Sequence, residues 1–324
     1  MIKLSIAIPT FERKDVLLQT LHNIKKQLLP GIEVVISDNG SKDGTLEMLK
    51  QLDMPSVKVT GFKDNQGIDA NILNVIQASQ GEYVFLFSDD DLFTEGLIAR
   101  LLVLIYQDYD VIAVNHFAFD KDPEKPLTGS FLPKIDKEFK SGEKFFRCVG
   151  LGFLSSLIFK KKLAQPYFPK VRFGKECAHV DIVARIALDP TSRCFFAGSM
   201  NVAGRALALP RYSMMHSCVI YLKELYDELF VEKRLSLFSY VIFQNRLVFK
   251  EIPRIYYKLL LQDPLLAKAS LKQVYREFRN KTFYEFFLLL LLLLPHKFSK
   301  ITLKIFRSIF KILFHRDVYI NKTK

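Results

Sequence analysis

Residues 83–92 read YVFLFSDDDL, and no other stretch constrains the chain as much. Five apolar or aromatic residues run straight into a serine and three consecutive aspartates. The run is short, aromatic-rich and without alternation, which is the pattern of a strand buried on both faces of a parallel sheet. Such a strand ends at the carboxyl edge of its sheet, where open α/β folds place their ligands. Asp89, Asp90 and Asp91 are therefore predicted to emerge at a crevice. Three adjacent carboxylates repel one another, and a cation relieves the repulsion. Hard oxygen ligands suit Mg²⁺ or Mn²⁺, metals that share their coordination with substrate phosphates. The plainer alternative is a solvated acidic turn capping the next helix.

The segments on either side alternate between strand and helix patterns. Residues 4–9 (LSIAIP) read as a first strand. Residues 14–27 carry Val16, Leu17, Leu21 and Ile24 at helical spacing, and Pro30-Gly31 ends that helix. A second strand, 33–37, empties into the polar turn DNGSKDGT, rich in capping residues. A short helix (46–52), a third strand (57–62) and a helix (68–78) lead to the acidic strand. A helix (95–107) and a strand (111–115) follow it. This alternation predicts a mostly parallel sheet with right-handed crossovers. No G-x-G-x-x-G follows the first strand and the P-loop pattern is absent, which argues against both phosphate-binding motifs.

Residues 120–138, rich in Lys, Pro and Asp, read as a surface excursion. Strand character returns at 152–160, a helix at 176–188 and a strand at 194–197; residues 198–213, which hold Arg205 and Arg211, read as irregular. On the 176–188 helix His179, Ile182 and Ile186 share one face, while Asp181 and Arg185 stand at i and i+4 on another. From Tyr221 onward the pattern is wholly helical, so a domain boundary is placed at 210, with 1–210 the α/β domain and 211–324 a helical C-terminal region.

Length and composition bound the rest. A chain of 324 residues, 49% hydrophobic, buries a core easily. Its four cysteines form no C-x-x-C pair and are read as reduced, mostly buried thiols. The N-terminal MIKLSIAIP reaches Pro9 too soon for a signal peptide, so no export is expected. The net charge of +13 is concentrated at the C-terminal end. Residues 272–324 hold twelve Lys or Arg against three acidic residues, nine of the thirteen net charges. Such a segment seeks nucleic acid or an anionic membrane. Within it, 286–294 is apolar but far shorter than the ~20 residues that span a bilayer. Residues 301–314 interleave Leu, Ile and Phe with Lys304, Arg307 and Lys311, a basic amphipathic helix of the interfacial kind, with core packing as the alternative. The basic residues alternate with aliphatic ones rather than with polar readers, which favours a membrane surface over nucleic acid.

Four pieces in order carry a resemblance: SIAIPTFER (5–13), VVISDNGSKDGT (34–45), DNQGIDANIL (64–73) and GEYVFLFSDDDLF (81–93). Together they resemble the P-T-x-x-R turn, the D-x-x-S-x-D-G-T signature, the N-x-G-x-x-x-A-x-N segment and the D-x-D strand of family 2 glycosyltransferases. The resemblance spans about the first 200 residues and implies the GT-A fold. The later GFLSSLIFKK and HVDIVARIA stretches are most similar to abequosyltransferase-type members that build bacterial surface polysaccharides.

What the resemblance implies is a metal-dependent, inverting transferase. It would move a sugar from a nucleotide-sugar donor to a lipid-linked or growing glycan acceptor, at the inner face of the plasma membrane. Asp38 falls where the family holds the nucleotide base, with Pro9, Thr10, Glu12 and Asn65 beside that pocket and Asp89 near the ribose. Asp43 matches a signature position, with helix capping as the alternative. Asp90 and Asp91 are the metal candidates; Ser88 stands at the usual first Asp, so the direct ligand of the two stays open. The family's E-D pair aligns with Ala178-His179, a departure that leaves Asp181 as first choice for the base, followed by Glu176 and His179. An ion pair with Arg185 is the alternative for Asp181. No nucleic acid is expected as a partner, and self-association stays open. The competing function is a nucleotidyltransferase acting on a sugar phosphate; it calls for a glycine-rich phosphate loop after strand one, and PTFERKD has no glycine.

Overall fold

The computed structural model describes residues 2–206 and 214–279, with Tyr284 and Leu288. The chain divides into two compact units, Met1–Ala208 and Leu209–Lys324. The first unit opens as β1 (Leu4–Thr10), α1 (Lys14–Lys25), β2 (Ile32–Asn39), α2 (Thr45–Lys50), β3 (Val57–Phe62), α3 (Ile68–Ala78) and β4 (Tyr83–Leu86). It continues with β5 (Leu92–Phe93), α4 (Leu97–Ile105), β6 (Val111–Phe119), β7 (Asp136–Phe139) and α5 (Gly142–Val149). It closes with β8 (Leu157–Lys160), α6 (Lys161–Ala164), α7 (Ala178–Ala187) and β9 (Cys194–Arg205).

The nine strands of the described residues join one sheet in the order β3-β2-β1-β4-β8-β6-β9-β5, with β7 also paired to β9, on the flank opposite β6. Every residue of β1 and β2 is buried, which explains their largely apolar character, and the buried Ser5 hydroxyl donates to Glu33 across the pair. Leu17, Leu21 and Ile24 of α1 pack into the cluster that holds Ile6, Ile8, Ile36 and Phe85. The β1–β2, β2–β3 and β1–β4 pairs are parallel, so the polar ends of β1, β2 and β4 reach the same edge.

The second half of the sheet departs from the sequence reading. β8 runs antiparallel to both β4 and β6, and β5 and β7 run antiparallel to β9, so the sheet is mixed. The 83–92 stretch divides into β4 and β5, separated by the acidic turn. The 120–138 excursion ends in β7, and residues 198–205 are strand rather than irregular. β9 lies along β6 from Val111↔Cys194 to Phe119↔Arg205, with a register shift between Val114 and Asn115. Its sequence, CFFAGSMNVAGR, has no clean alternation; neighbours on both sides impose the extended form.

In the second unit the helices are α8 (Leu222–Val231), α9 (Leu237–Arg246), α10 (Ile252–Gln262) and α11 (Pro264–Glu277). Tyr226 stacks on Phe243 at 4.6 Å and Phe230 on Tyr240 at 4.5 Å, joining α8 to α9. Among the described residues no helix is long and apolar enough to cross a membrane. The amphipathic 301–314 segment, Arg211 and, except for Leu288, the 286–294 run lie outside the described residues.

Candidate active site

The site grows from the carboxyl edge of β1, β2 and β4. β4 ends at Leu86, and the chain turns through Ser88, Asp89, Asp90 and Asp91 before β5. All three aspartates are buried. The Thr20 hydroxyl of α1 donates to the carbonyls of Asp89 (3.0 Å) and Asp91 (3.1 Å), which pins the backbone of the acidic turn.

Each carboxylate has its own partners. Asp89 accepts the Thr10 hydroxyl at 2.7 Å, and the Arg13 Nη1 lies 3.3 Å from its other oxygen. The same nitrogen stands 2.5 Å from Asp90, whose second oxygen accepts the Ser88 hydroxyl at 2.7 Å. Asp91 faces elsewhere: it accepts the Ser155 hydroxyl at 2.5 Å and the Arg205 amide at 2.9 Å. Burial pushes the Asp89 carboxyl up to about 7, partly opposed by Arg13. Burial and the neighbouring Asp90 charge push Asp91 to about 7 as well. Positive charge beside such buried carboxyls favours their ionised form and opposes the upward push. Two of the three, Asp89 and Asp90, converge on one cationic nitrogen. Among the described residues no three His, Cys, Asp or Glu side chains form a ready-made metal cage. A pair of carboxylates facing one positive charge fits a cation that takes its remaining ligands from substrate phosphate and water.

Asp38 is the last residue but one of β2 and is buried; it accepts the Ser41 hydroxyl at 2.5 Å and the Ser41 amide at 3.2 Å. Ser41 in turn accepts the amide of Glu12 at 2.8 Å, where the chain turns through a left-handed backbone (φ 51°). Thr10, Glu12 and Asp38 are thereby linked across β1 and β2, and Pro9 is buried in β1. The neighbouring β3 must come close: a Cβ on Gly61 would lie 2.0 Å from the Asp38 carbonyl oxygen. Asn65 is held in the next turn, accepting from the Asn39 side chain at 2.9 Å and from the Gly67 amide at 2.8 Å. Asp43 is a double cap. It accepts the Lys14 amide at 2.9 Å and the Thr45 amide at 3.0 Å, so it starts both α1 and α2. Its partial burial works against the charge, but these amides and the Thr45 hydroxyl hold its carboxyl below the usual range.

The three base candidates sit differently. Asp181 and Arg185 are 1% and 0% exposed and pair at 2.6 Å inside α7, so that carboxylate serves the ion pair. His179 is buried, and burial lowers it to about 4, so it is neutral near pH 7. Its ring nitrogens make no well-formed hydrogen bond among the described residues, and the Gly152 backbone opposes the downward shift only in part. Glu176 is half-buried just before α7, in a left-handed turn (φ 61°). Asp69 of α3 anchors that turn: its carboxylate accepts the amides of Lys175 (2.9 Å), Glu176 (2.7 Å) and Ala178 (3.0 Å). Sequence reasoning did not single out Asp69, Ser155 or Thr20, since each acts across 64 residues or more. Arg13 was visible as the arginine of the P-T-x-x-R turn, but its partners were not.

Comparison with known proteins agrees with this architecture. The family model for glycosyl transferase family 2 matches residues 5–163. A Campylobacter jejuni GalNAc(5)-diNAcBac-PP-undecaprenol beta-1,3-glucosyltransferase is 26% identical over 178 residues, covering 54% of this chain and 55% of that protein. The abequosyltransferase RfbV of Salmonella typhimurium is 28% identical over 181 residues, covering 49% and 53%. The chain thus spans about half the length of these curated relatives. The crystal structure of S. aureus TarS 1-349 in complex with UDP-GlcNAc superposes with a TM-score of 0.62 at 14% identity, covering 99% of this chain and 93% of that one. The family match and the ordered motifs show that residues 5–163 belong to glycosyl transferase family 2, and the likeness in structure gives the GT-A fold.

Proposed function

We propose that the chain is a glycosyltransferase of bacterial cell-surface polysaccharide (O-antigen- or capsule-like) biosynthesis. It takes a sugar from a nucleotide-sugar donor and passes it to a lipid-linked or growing glycan acceptor, with inversion. The observation that carries this reading is the convergence of Asp38, Thr10, Asp89 and Asp90 on one sheet edge, with Asp89 and Asp90 turned toward a single positive charge.

In this reading Asp38 receives the nucleotide base, with Pro9, Glu12 and Asn65 forming the walls of its pocket. Thr10 holds Asp89 in place for the ribose. Asp90, supported by Asp89, holds Mn²⁺ or Mg²⁺. When bound, that cation neutralises the negative charge that grows on the departing diphosphate. Asp91 ties the acidic turn to Ser155 and to β9, and so fixes the direction in which Asp90 points. The acceptor hydroxyl must lose a proton on the face opposite the leaving group. Glu176 is assigned that role, because Asp181 is buried against Arg185, His179 is buried, and Glu176 alone of the three is partly exposed. Asp69 holds the turn on which Glu176 sits. The basic C-terminal segment keeps the enzyme on the cytoplasmic membrane face, where lipid-linked acceptors reside.

The test is thermal stabilisation of the purified chain by UDP, GDP, CDP and dTDP, each with and without Mn²⁺, beside Asp90→Asn. A metal-dependent shift with one nucleotide, lost in the variant, is expected. A folded protein that responds to none of them would remove the reading.

A further inference from the structure

Three large apolar side chains are exposed where α10 meets α11. Only Asp263 separates the two helices. Its carboxylate accepts the amides of Leu265 and Leu266 at 3.0 Å each, and Pro264 opens α11 with its φ already fixed. The turn is therefore preorganised, and what it holds out is apolar. Leu261 is 69% exposed, Leu265 81% and Leu266 51%. The helices do have a proper interior: Ile255, Tyr256 and Leu260 of α10 are buried, as are Ala267, Leu271 and Val274 of α11. The three leucines are thus surplus to the core, gathered within six positions at a convex end.

The flanks are basic. Lys258 and Leu261 stand at i and i+3 on α10; Leu265, Lys268 and Lys272 recur at i, i+3 and i+7 on α11. All three lysines are exposed. Between Ile252 and Arg279 there are six Lys or Arg and two acidic residues. One of those two, Asp263, faces the amides of the helix start that it caps. A convex leucine tip with lysines one and two turns behind it matches the layering of an anionic bilayer, acyl chains beneath phosphate headgroups. A protein partner, or a second copy, would instead need a concave apolar pocket to receive the tip.

We propose that the α10–α11 tip is a membrane-docking element. Leu261, Leu265 and Leu266 enter the interface of an anionic bilayer, and Lys258, Lys268 and Lys272 meet its headgroups. The proposal uses none of residues 301–314 and does not depend on the donor or metal assignments.

The chain contains no tryptophan, so one substitution makes a unique reporter. Leu265→Trp in the full chain should show a blue-shifted emission on vesicles of equimolar phosphatidylglycerol and phosphatidylcholine. Lipids brominated along the acyl chain should quench it, and pure phosphatidylcholine should leave it unchanged. Separately, Leu261→Ser/Leu265→Ser/Leu266→Ser should weaken partition onto the anionic vesicles about tenfold or more, with an unchanged melting temperature. Phe306→Trp reports on the tail alone. If that reporter shifts while Leu265→Trp stays silent, the tail binds and the hairpin proposal fails. A concentration-dependent blue shift of Leu265→Trp without lipid would assign the tip to self-association and also overturn it. If neither reporter responds, the membrane placement falls too, while the nucleotide experiment still judges the transferase reading independently.

Discussion

Arg13 Nη1 stands 2.5 Å from an Asp90 oxygen and 3.3 Å from Asp89, so one guanidinium answers two carboxylates buried at the end of β4. The arginine comes from the turn after β1, and the pairing spans 76 residues of sequence. Removing it leaves two buried charges uncompensated. Arg13→Gln should therefore lower unfolding free energy by about 2–3 kcal/mol in a chelator-containing buffer. Added Mn²⁺ should restore more stability to the variant than it adds to the original chain. Urea unfolding with and without Mn²⁺ reads both effects, and an unaffected variant would show that the pair contributes little.

Asp181 and Glu176 should separate cleanly. Asp181→Asn removes a carboxylate paired with the buried Arg185, so a loss of about 3 kcal/mol of stability is expected. Glu176→Gln should fold with near-original stability and lose at least about a hundredfold in kcat, consistent with removal of a general base. Donor binding, followed by thermal shift, should survive in Glu176→Gln. Equal kcat loss with retained stability in Asp181→Asn would transfer the base role to Asp181.

The Asp69 carboxylate replaces three backbone partners at the start of α7. Asp69→Ala should cost about 2 kcal/mol through the lost cap. Because the Glu176 turn rests on it, kcat should fall further than donor affinity does. Asp69→Asn keeps one acceptor oxygen and should recover part of both. A variant whose kcat and donor affinity decline together would mark Asp69 as a general stabiliser only.

Two histidines make stability depend on pH. Burial holds His179 at about 4, and it also holds His116, stacked between Phe131 and Phe153, at about 4. The unfolded chain protonates both near 6.5, so between about 4 and 6.5 it binds protons that the folded state does not. These residues therefore contribute stability above about 6.5 that is lost as pH falls toward 4, by up to about 1.4 kcal/mol per unit for each. His179→Gln and His116→Gln should each remove that contribution, read as a pH-dependent difference from the original chain, whose own curve also carries the opposite contribution of Asp89 and Asp91 at about 7. Parallel curves would mean the histidines titrate normally.

Gly61 tests the donor pocket from outside it. A Cβ there would lie 2.0 Å from the Asp38 carbonyl oxygen, so Gly61→Ala must push β3 away from β2. A loss of at least about 2 kcal/mol is expected, with nucleotide stabilisation weakened because Asp38 shifts. Full nucleotide response in a folded variant would show that the strand edge is more pliant than its packing implies.

What the sequence determined by itself is the first half of the sheet and the identity of the acidic turn. Short, largely apolar runs such as LSIAIP and YVFLF show no alternating polar face, so they must be central strands, and Asp38 and Asp89–Asp91 must follow such strands to one edge. Only the tertiary structure decided how those carboxylates divide. Asp89 and Asp90 face one guanidinium while Asp91 turns to Ser155 and β9, a choice made by partners 64 to 114 residues away. The same holds for β9, whose residues lack a strand pattern and become extended because β6, β7 and β5 supply hydrogen bonds on both sides. It holds for Asp181 and Asp69 as well. Spacing allowed Asp181 an ion pair or a base's role, and burial beside Arg185 gave it the pair. Nothing local marked Asp69, whose work is done on a helix that begins 109 residues later. Patterns of one period reveal which face is buried; long-range contacts decide what each buried charge is for.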